Sequence, residues 1–175
     1  MGIFNRFIVG VATAVLLVAC NPAFNWREVR VGEVPVLALM PCKPDKAERT
    51  VSLQGQPATL HMASCDVGSL TFAFAALGVS EGMDPGVASH AWKLATLASL
   101  KAPLSGARDW PLPQRTAWSA TGWQADGVRH NGQAVHVRVV AVARGQSLHQ
   151  LAIYGDPPPE VLATWLDGMR FVAVP

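Results

Sequence analysis

The sequence predicts one α+β domain, an antiparallel β-sheet with helices packed on its faces (an α/β/α sandwich), on three observations. Residues 133–143 and 147–154 are apolar runs joined across Gly145-Gln146, the pattern of a tight hairpin. With Arg144 paired to Ser147, one face of that hairpin carries Val135, Val137, Val139, Leu148 and Ala152, and the other Val140, Val142, Leu151 and Ile153. A sheet apolar on both faces needs cover on both sides. Two segments with helical periodicity supply it, one opened by Asp84-Pro85 and one by Asp156-Pro157.

Taken in order, residues 26–31 alternate apolar and charged side chains, the period of a half-buried strand, and residues 34–40 continue as a more apolar one. Pro41, Pro44 and Asp45 break the chain. Residues 47–53 and 58–64 flank Gln54-Gly55-Gln56-Pro57 as a second hairpin with its turn at the glycine. Residues 69–77 are apolar at nearly every position, which suits a central strand covered on both faces. Asp84 then caps a helix with Pro85 at its first position, where a missing N–H costs nothing. At 100° per residue Val87, Ala91, Leu94 and Ala98 form its inward stripe, with Lys93 and Thr96 opposite.

Residues 102–117 carry three prolines and no period, and read mainly as loop; residues 118–126 read as a further strand. In the closing helix Asp156 serves as cap, Val161, Leu162, Trp165, Leu166 and Met169 form the apolar stripe, and Gly168 stands near its end. Residues 171–174 close the chain. No repeat or low-complexity segment interrupts this order.

Half of the residues are apolar and 15% are charged, so the chain folds around a core. A formal net charge of +2 with no run of Lys or Arg argues against a nucleic-acid partner, which needs clustered cations for its phosphates. The motifs of common chemistries are missing: there is no Gly-x-Ser-x-Gly elbow, no HExxH, and no glycine-rich phosphate loop. His61, His90, His130, His136 and His149 show no metal-ligand spacing and read as solvent-facing or hydrogen-bonded. The register above puts His149 opposite Val142 and His136 six residues further along that strand, about 20 Å away at 3.3 Å per residue. No cofactor and no metal are expected. Six tryptophans depart from an otherwise bland composition, and Trp110, Trp118 and Trp123 cluster near a proline-rich stretch. They form a candidate platform for a sugar, a peptide or the membrane interface, or else a roof over the core.

The first 20 residues resemble a bacterial lipoprotein signal. Arg6 precedes an uncharged run from Phe7 to Ala19, too short to span a bilayer, and Leu17-Val18-Ala19-Cys20 matches a lipobox at each position. The other readings are ordinary cleavage after Ala19 and an uncleaved anchor. The resemblance implies a signal peptide over residues 1–19, acylation of Cys20, a tether over residues 20–25 and a domain over residues 26–175. It further implies a lipid-anchored protein facing the periplasm. Asn21, in place of the aspartate that retains some lipoproteins at the inner membrane, points to the outer membrane.

With Cys20 assigned to lipid, Cys42 and Cys65 remain as a pair in an oxidising compartment. Cys42 lies just before the first hairpin and Cys65 at its end, so a structural disulfide is expected, worth about 3 kcal/mol by loop entropy. A reversible redox pair is the other reading, without the Cys-x-x-Cys spacing that lowers a thiol pKa.

The order of elements over residues 26–174 resembles the PsbP/DcrB-like superfamily, an antiparallel sheet between helices. That resemblance rests on order and on the closing helix leading into Arg170-Phe171, and it brings no functional residues. The expected function is therefore a non-enzymatic binding or accessory module of the cell envelope, with an envelope protein or glycan as partner. The competing class is a redox or small-ligand protein using Cys42 and Cys65 or the tryptophan region.

Overall fold

A computed structural model describes residues 23–32, 36–113 and 120–171. The lipobox, Cys20 and Trp118 lie outside these residues. Among the described residues the fold is mixed α+β, mostly antiparallel sheet with two α-helices. The elements are β1 (Arg27–Arg30), β2 (Val36–Met40), β3 (Asp45–Leu53), β4 (Gln56–Val67), β5 (Leu70–Gly78) and α1 (Pro85–Ser99). A 3₁₀ turn at Leu104–Gly106 precedes β6 (Arg108–Asp109), β7 (Ala120–Val128), β8 (Ala134–Arg144), β9 (Ser147–Tyr154), α2 (Pro159–Asp167) and β10 (Arg170–Phe171).

Seven strands form the main sheet in the order β3-β4-β5-β9-β8-β7-β6. The expectation of a single sheet is corrected, because β1, β2 and β10 form a separate three-stranded sheet. The two-residue closing strand pairs Arg170 with Leu37 and Phe171 with Val36, using an edge of β2 that β1 leaves open. Apolar residues of this small sheet (Val29, Val36, Ala38 and Met40), with Val31 just after β1, share one buried cluster with Phe72, Phe74, Val140, Leu151 and Ile153 of the main sheet. Val161 and Trp165 of α2, and Met169 just after it, belong to the same cluster. One buried cluster thus joins residues of the main sheet, the small sheet and α2.

The β8–β9 hairpin has the predicted register, with Arg144 paired to Ser147 and Val142 to His149. Its faces divide as expected: Val135, Val137, Val139 and Ala152 enter one cluster, Val140, Val142, Leu151 and Ile153 another. The β3–β4 hairpin turns at Gln54-Gly55, both at positive φ as a tight two-residue turn requires. Pro57 falls inside β4, paired with Ser52. Cys42 and Cys65 form a disulfide with Cα atoms 6.0 Å apart. It joins the exit of β2 to β4, so it ties the small sheet to the main one.

Both helices correct the sequence in detail. Asp84 caps α1 as predicted, its carboxylate accepting from the Val87 amide at 2.8 Å. The inward stripe is rotated, however: Ala88 and Leu97 are buried, while Val87 is 52% and Leu94 39% exposed. Thr96, placed outward by periodicity, turns to the sheet and bonds Gln150. The sheet decides the rotation. Leu97 and Leu100 pack with Trp123, Val137 and Val139, and the polar Gln150 in mid-sheet requires a polar neighbour. In the second helix Asp156 is not the cap; Pro158 is, with Pro159 opening the helix, and Asp156 instead accepts from Arg138 at 3.2 Å. The predicted apolar stripe of α2 holds, with Val161, Trp165 and Met169 buried and Leu162 and Leu166 packed beside them.

The expected tether is in part docked. Phe24 stacks on Trp26 at 5.8 Å, Trp26 meets Phe72 edge-on at 6.2 Å, and the Asn25 amide donates to the Pro41 carbonyl at 2.7 Å.

Candidate functional site

The central strand β5 is not covered equally on its two faces. Leu70, Phe72, Phe74 and Ala76 are buried, whereas Thr71, Ala73 and Ala75 on the α1 side are only half-buried. The cause is where α1 rests. Its C-terminal half packs with β7, β8 and β9, and its N-terminal residue Ala88 joins Leu53, Leu60, Leu77 and Leu148. Between these anchor points the side chains are small, and a groove of about 480 Å³ remains between α1 and strands β3, β4 and β5.

Register lays out this face of the sheet in rows, all of whose residues but Asp66 and Leu148 line the groove. Tyr154, Thr71 and Asp66 make the first row, Ala152, Ala73 and Ser64 the second, Gln150, Ala75 and Met62 the third, and Leu148, Leu77 and Leu60 the fourth. The floor thus runs from polar, through small, to large and apolar. From Thr71 to Leu77 is about 20 Å at 3.3 Å per residue. Trp92, Thr96 and Ser99 of α1 line the opposite wall. At the polar end the Arg129 guanidinium donates to Thr71 Oγ1 at 3.1 Å and lies 5.5 Å from the Tyr154 ring centre. Burial pushes the Tyr154 phenol above its ordinary pKa, and the Arg129 charge partly opposes this.

Gln150 is the chemically informative residue. It is 6% exposed, and Ala75 and Ala141 are its register partners on the two sides. Thr96 Oγ1 lies 3.1 Å from its Oε1, while its Nε2 has no partner among the described residues. Turning the amide end for end would orphan the oxygen instead, so one polar end stays unpaired in either orientation. A buried group in that state costs roughly 1–3 kcal/mol.

The predicted site residues fall elsewhere. Trp123 is 2% exposed and belongs to the cluster around Val137, while Trp110 packs against the cluster on the other side of the sheet. Trp110 and Trp123 therefore do not share one surface, since they belong to different clusters and the core buries Trp123, while Trp118 lies outside the described residues. Lys93 Nζ sits 5.4 Å above the Trp123 ring. The Trp110 loop is seated on Gly122, whose carbonyl accepts the Trp110 amide at 2.9 Å. A Cβ at Gly122 would stand 2.3 Å from the Trp110 carbonyl oxygen. Beside this loop Trp110, Leu112, Val140 and Leu166 line a second hollow of about 450 Å³.

The histidines divide as structural residues. His136 Nδ1 lies 2.6 Å from Asp126 Oδ1, a bond that holds the Asp126 carboxyl below its ordinary pKa, and His61 pairs with Glu48 at 2.9 Å. His149 is 1% exposed, and burial lowers its pKa to about 4. Ser147 Oγ donates to the Arg144 carbonyl, so the 3.2 Å contact between that hydroxyl and His149 has Nε2–H as donor. Among the described residues this leaves His149 Nδ1 without a hydrogen-bond partner, beside the rings of Phe74 and Phe171. Among the described residues no group of three His, Cys, Asp or Glu could hold a metal ion.

Sequence reasoning missed Gln150. Its signal was present: one amide on the strand face that also carries Leu148 and Ala152, opposite Ala141 in the hairpin register. Comparison with protein-family models and with curated proteins finds no match.

Proposed function

We propose that the chain is a lipid-anchored envelope protein whose domain binds a small apolar or amphipathic ligand in the groove beside α1. The observation that carries the reading is the unpaired, buried end of Gln150 beside the small apolar floor of Ala73, Ala75 and Met62, in a groove that Lys46 and Arg49 also line. Binding sites are typically apolar hollows with a few fixed polar groups, and a buried polar group without a partner destabilises the free protein. Acylation at Cys20 would place the domain on the periplasmic face of the outer membrane. The docking of Phe24 then leaves only a few residues between domain and bilayer. The three-layer arrangement resembling the PsbP/DcrB-like superfamily belongs to this reading too, supported by buried clusters on both sides of the main sheet.

Two measurements test it. Cys20→Ser should move the protein from the membrane to the soluble fraction, and continued membrane binding would remove the anchor from the reading. Mass spectrometry of small molecules that co-purify with the wild-type chain should find a compound missing from Ala75→Trp, which fills the groove. The same compounds in both proteins would exclude the groove as the site.

A further inference from the structure

We infer that two copies of this chain pair antiparallel along β3, at the edge of the main sheet, with Ala47 facing the partner's Ala47. The pairing is independent of the groove reading. Among the described residues β3 is an end strand of the seven-stranded sheet, and Asp45 to Thr50 are all exposed. The opposite edge, β6, is two residues long. A short edge offers little to pair with, whereas the nine residues of β3 offer a ladder. The turn decides which groups point outward. Leu53 and Gln56 close the two-residue turn as a hydrogen-bonded pair, and bonded and non-bonded pairs alternate from there. Arg49, Ala47 and Asp45 therefore bond to β4. The N–H and C=O groups of Lys46, Glu48 and Thr50 point away from it, and among the described residues no other backbone group bonds them.

Charge selects the occupant. Opposed residues of an antiparallel pair share a face, where opposite charges attract and like charges repel. With the strands centred on Ala47, Asp45 opposes the partner's Arg49 on the α1 face, and Lys46 opposes the partner's Glu48 on the other. The twofold axis makes each of these pairs occur twice. Moving the centre by one residue sets Lys46 against the partner's Lys46 or Glu48 against the partner's Glu48. Charges on an edge repel a foreign strand that would leave them unpaired, but they admit a second copy in this one register. Among the described residues Asp45 and Arg49 are in no ion pair, so the dimer supplies the partner each lacks. Both line the groove beside α1, and the second copy therefore contributes its own Asp45 and Arg49 to that groove's rim.

The test is sedimentation equilibrium of the purified full chain in detergent. The wild type should show a monomer–dimer equilibrium. Arg49→Asp and Asp45→Arg should each weaken dimerisation about tenfold, because each sets like charges against one another at both symmetric places. Mixed in equal amounts, the two variants should associate as strongly as the wild type, since one is acidic and the other basic at both positions. That recovery also shows that both variants fold. Oxidation of Ala47→Cys should give a disulfide-linked dimer far faster than the wild type, because facing Cα atoms in such a non-hydrogen-bonded pair lie about 4.5 Å apart. Thr50→Cys should not link, since its two copies would stand about 20 Å apart along the strands. A chain that stays monomeric at every concentration would overturn the inference. So would a dimer indifferent to both charge reversals, a mixture that fails to associate, or faster linking through Thr50→Cys than through Ala47→Cys.

Discussion

Thr96 on α1 and Gln150 on β9 meet across the helix–sheet junction at 3.1 Å, and Thr96 also lies 3.0 Å from the Trp92 carbonyl of its own helix. The hydroxyl has one proton for two acceptors. The pair is therefore under-satisfied, which sets it apart from the apolar packing on either side. Replacing Gln150 by leucine removes the orphan and leaves Thr96 its bond to Trp92. Chemical denaturation of Gln150→Leu should show a gain of about 1 kcal/mol, from an unmade bond removed and apolar area added. A loss of stability would mean that the amide is fully satisfied.

His149 gives the fold a dependence on pH. Its folded pKa of about 4 lies below the ordinary value of 6.5, so between these values the unfolded chain binds more protons. The contribution is complete above pH 6.5 and is lost as pH falls toward 4, because a proton on Nδ1 would be a buried donor between aromatic rings. The wild type should lose about 3 kcal/mol more than His149→Leu between pH 7 and pH 4. Parallel pH profiles for the two proteins would refute this.

The disulfide between Cys42 and Cys65 closes a loop with a sequence separation of 23 and fixes the small sheet to β4. Replacing both cysteines by serine should lower stability by about 3 kcal/mol. Because the link joins two sheets, hydrogen exchange in the variant should rise first in β1 and β2. Uniform acceleration across both sheets would show instead that the bond acts only on the unfolded chain.

Gly122 tests the seat of the Trp110 loop. Alanine there would drive its methyl into the Trp110 carbonyl, so Gly122→Ala should cost about 1–3 kcal/mol in urea denaturation. Unchanged stability would show that the loop moves away freely.

The strand pattern was legible because period and turn chemistry are local. Alternation and the Gly145-Gln146 turn fixed the β8–β9 register to the residue, including Val142 opposite His149. The cysteine pairing followed from their places at the ends of one hairpin. What could not be read was how elements rest on each other. Periodicity found the helix over residues 85–99 but turned it the wrong way, since Leu97, Leu100 and Thr96 answer to side chains far away in sequence. Trp110 and Trp123 looked like neighbours because they are close in the chain, yet the sheet stands between them.

By itself the sequence determined the sheet-rich α+β class, the hairpins and the disulfide partners, all set by neighbours a few residues apart or by the chemistry of one residue type. Only the tertiary structure decided that β1, β2 and β10 form their own sheet, that α1 leaves a groove beside β3, β4 and β5, and that Gln150 lines it. These are outcomes of packing, in which small alanines and large leucines compete for the same surface. No local pattern records which of them wins.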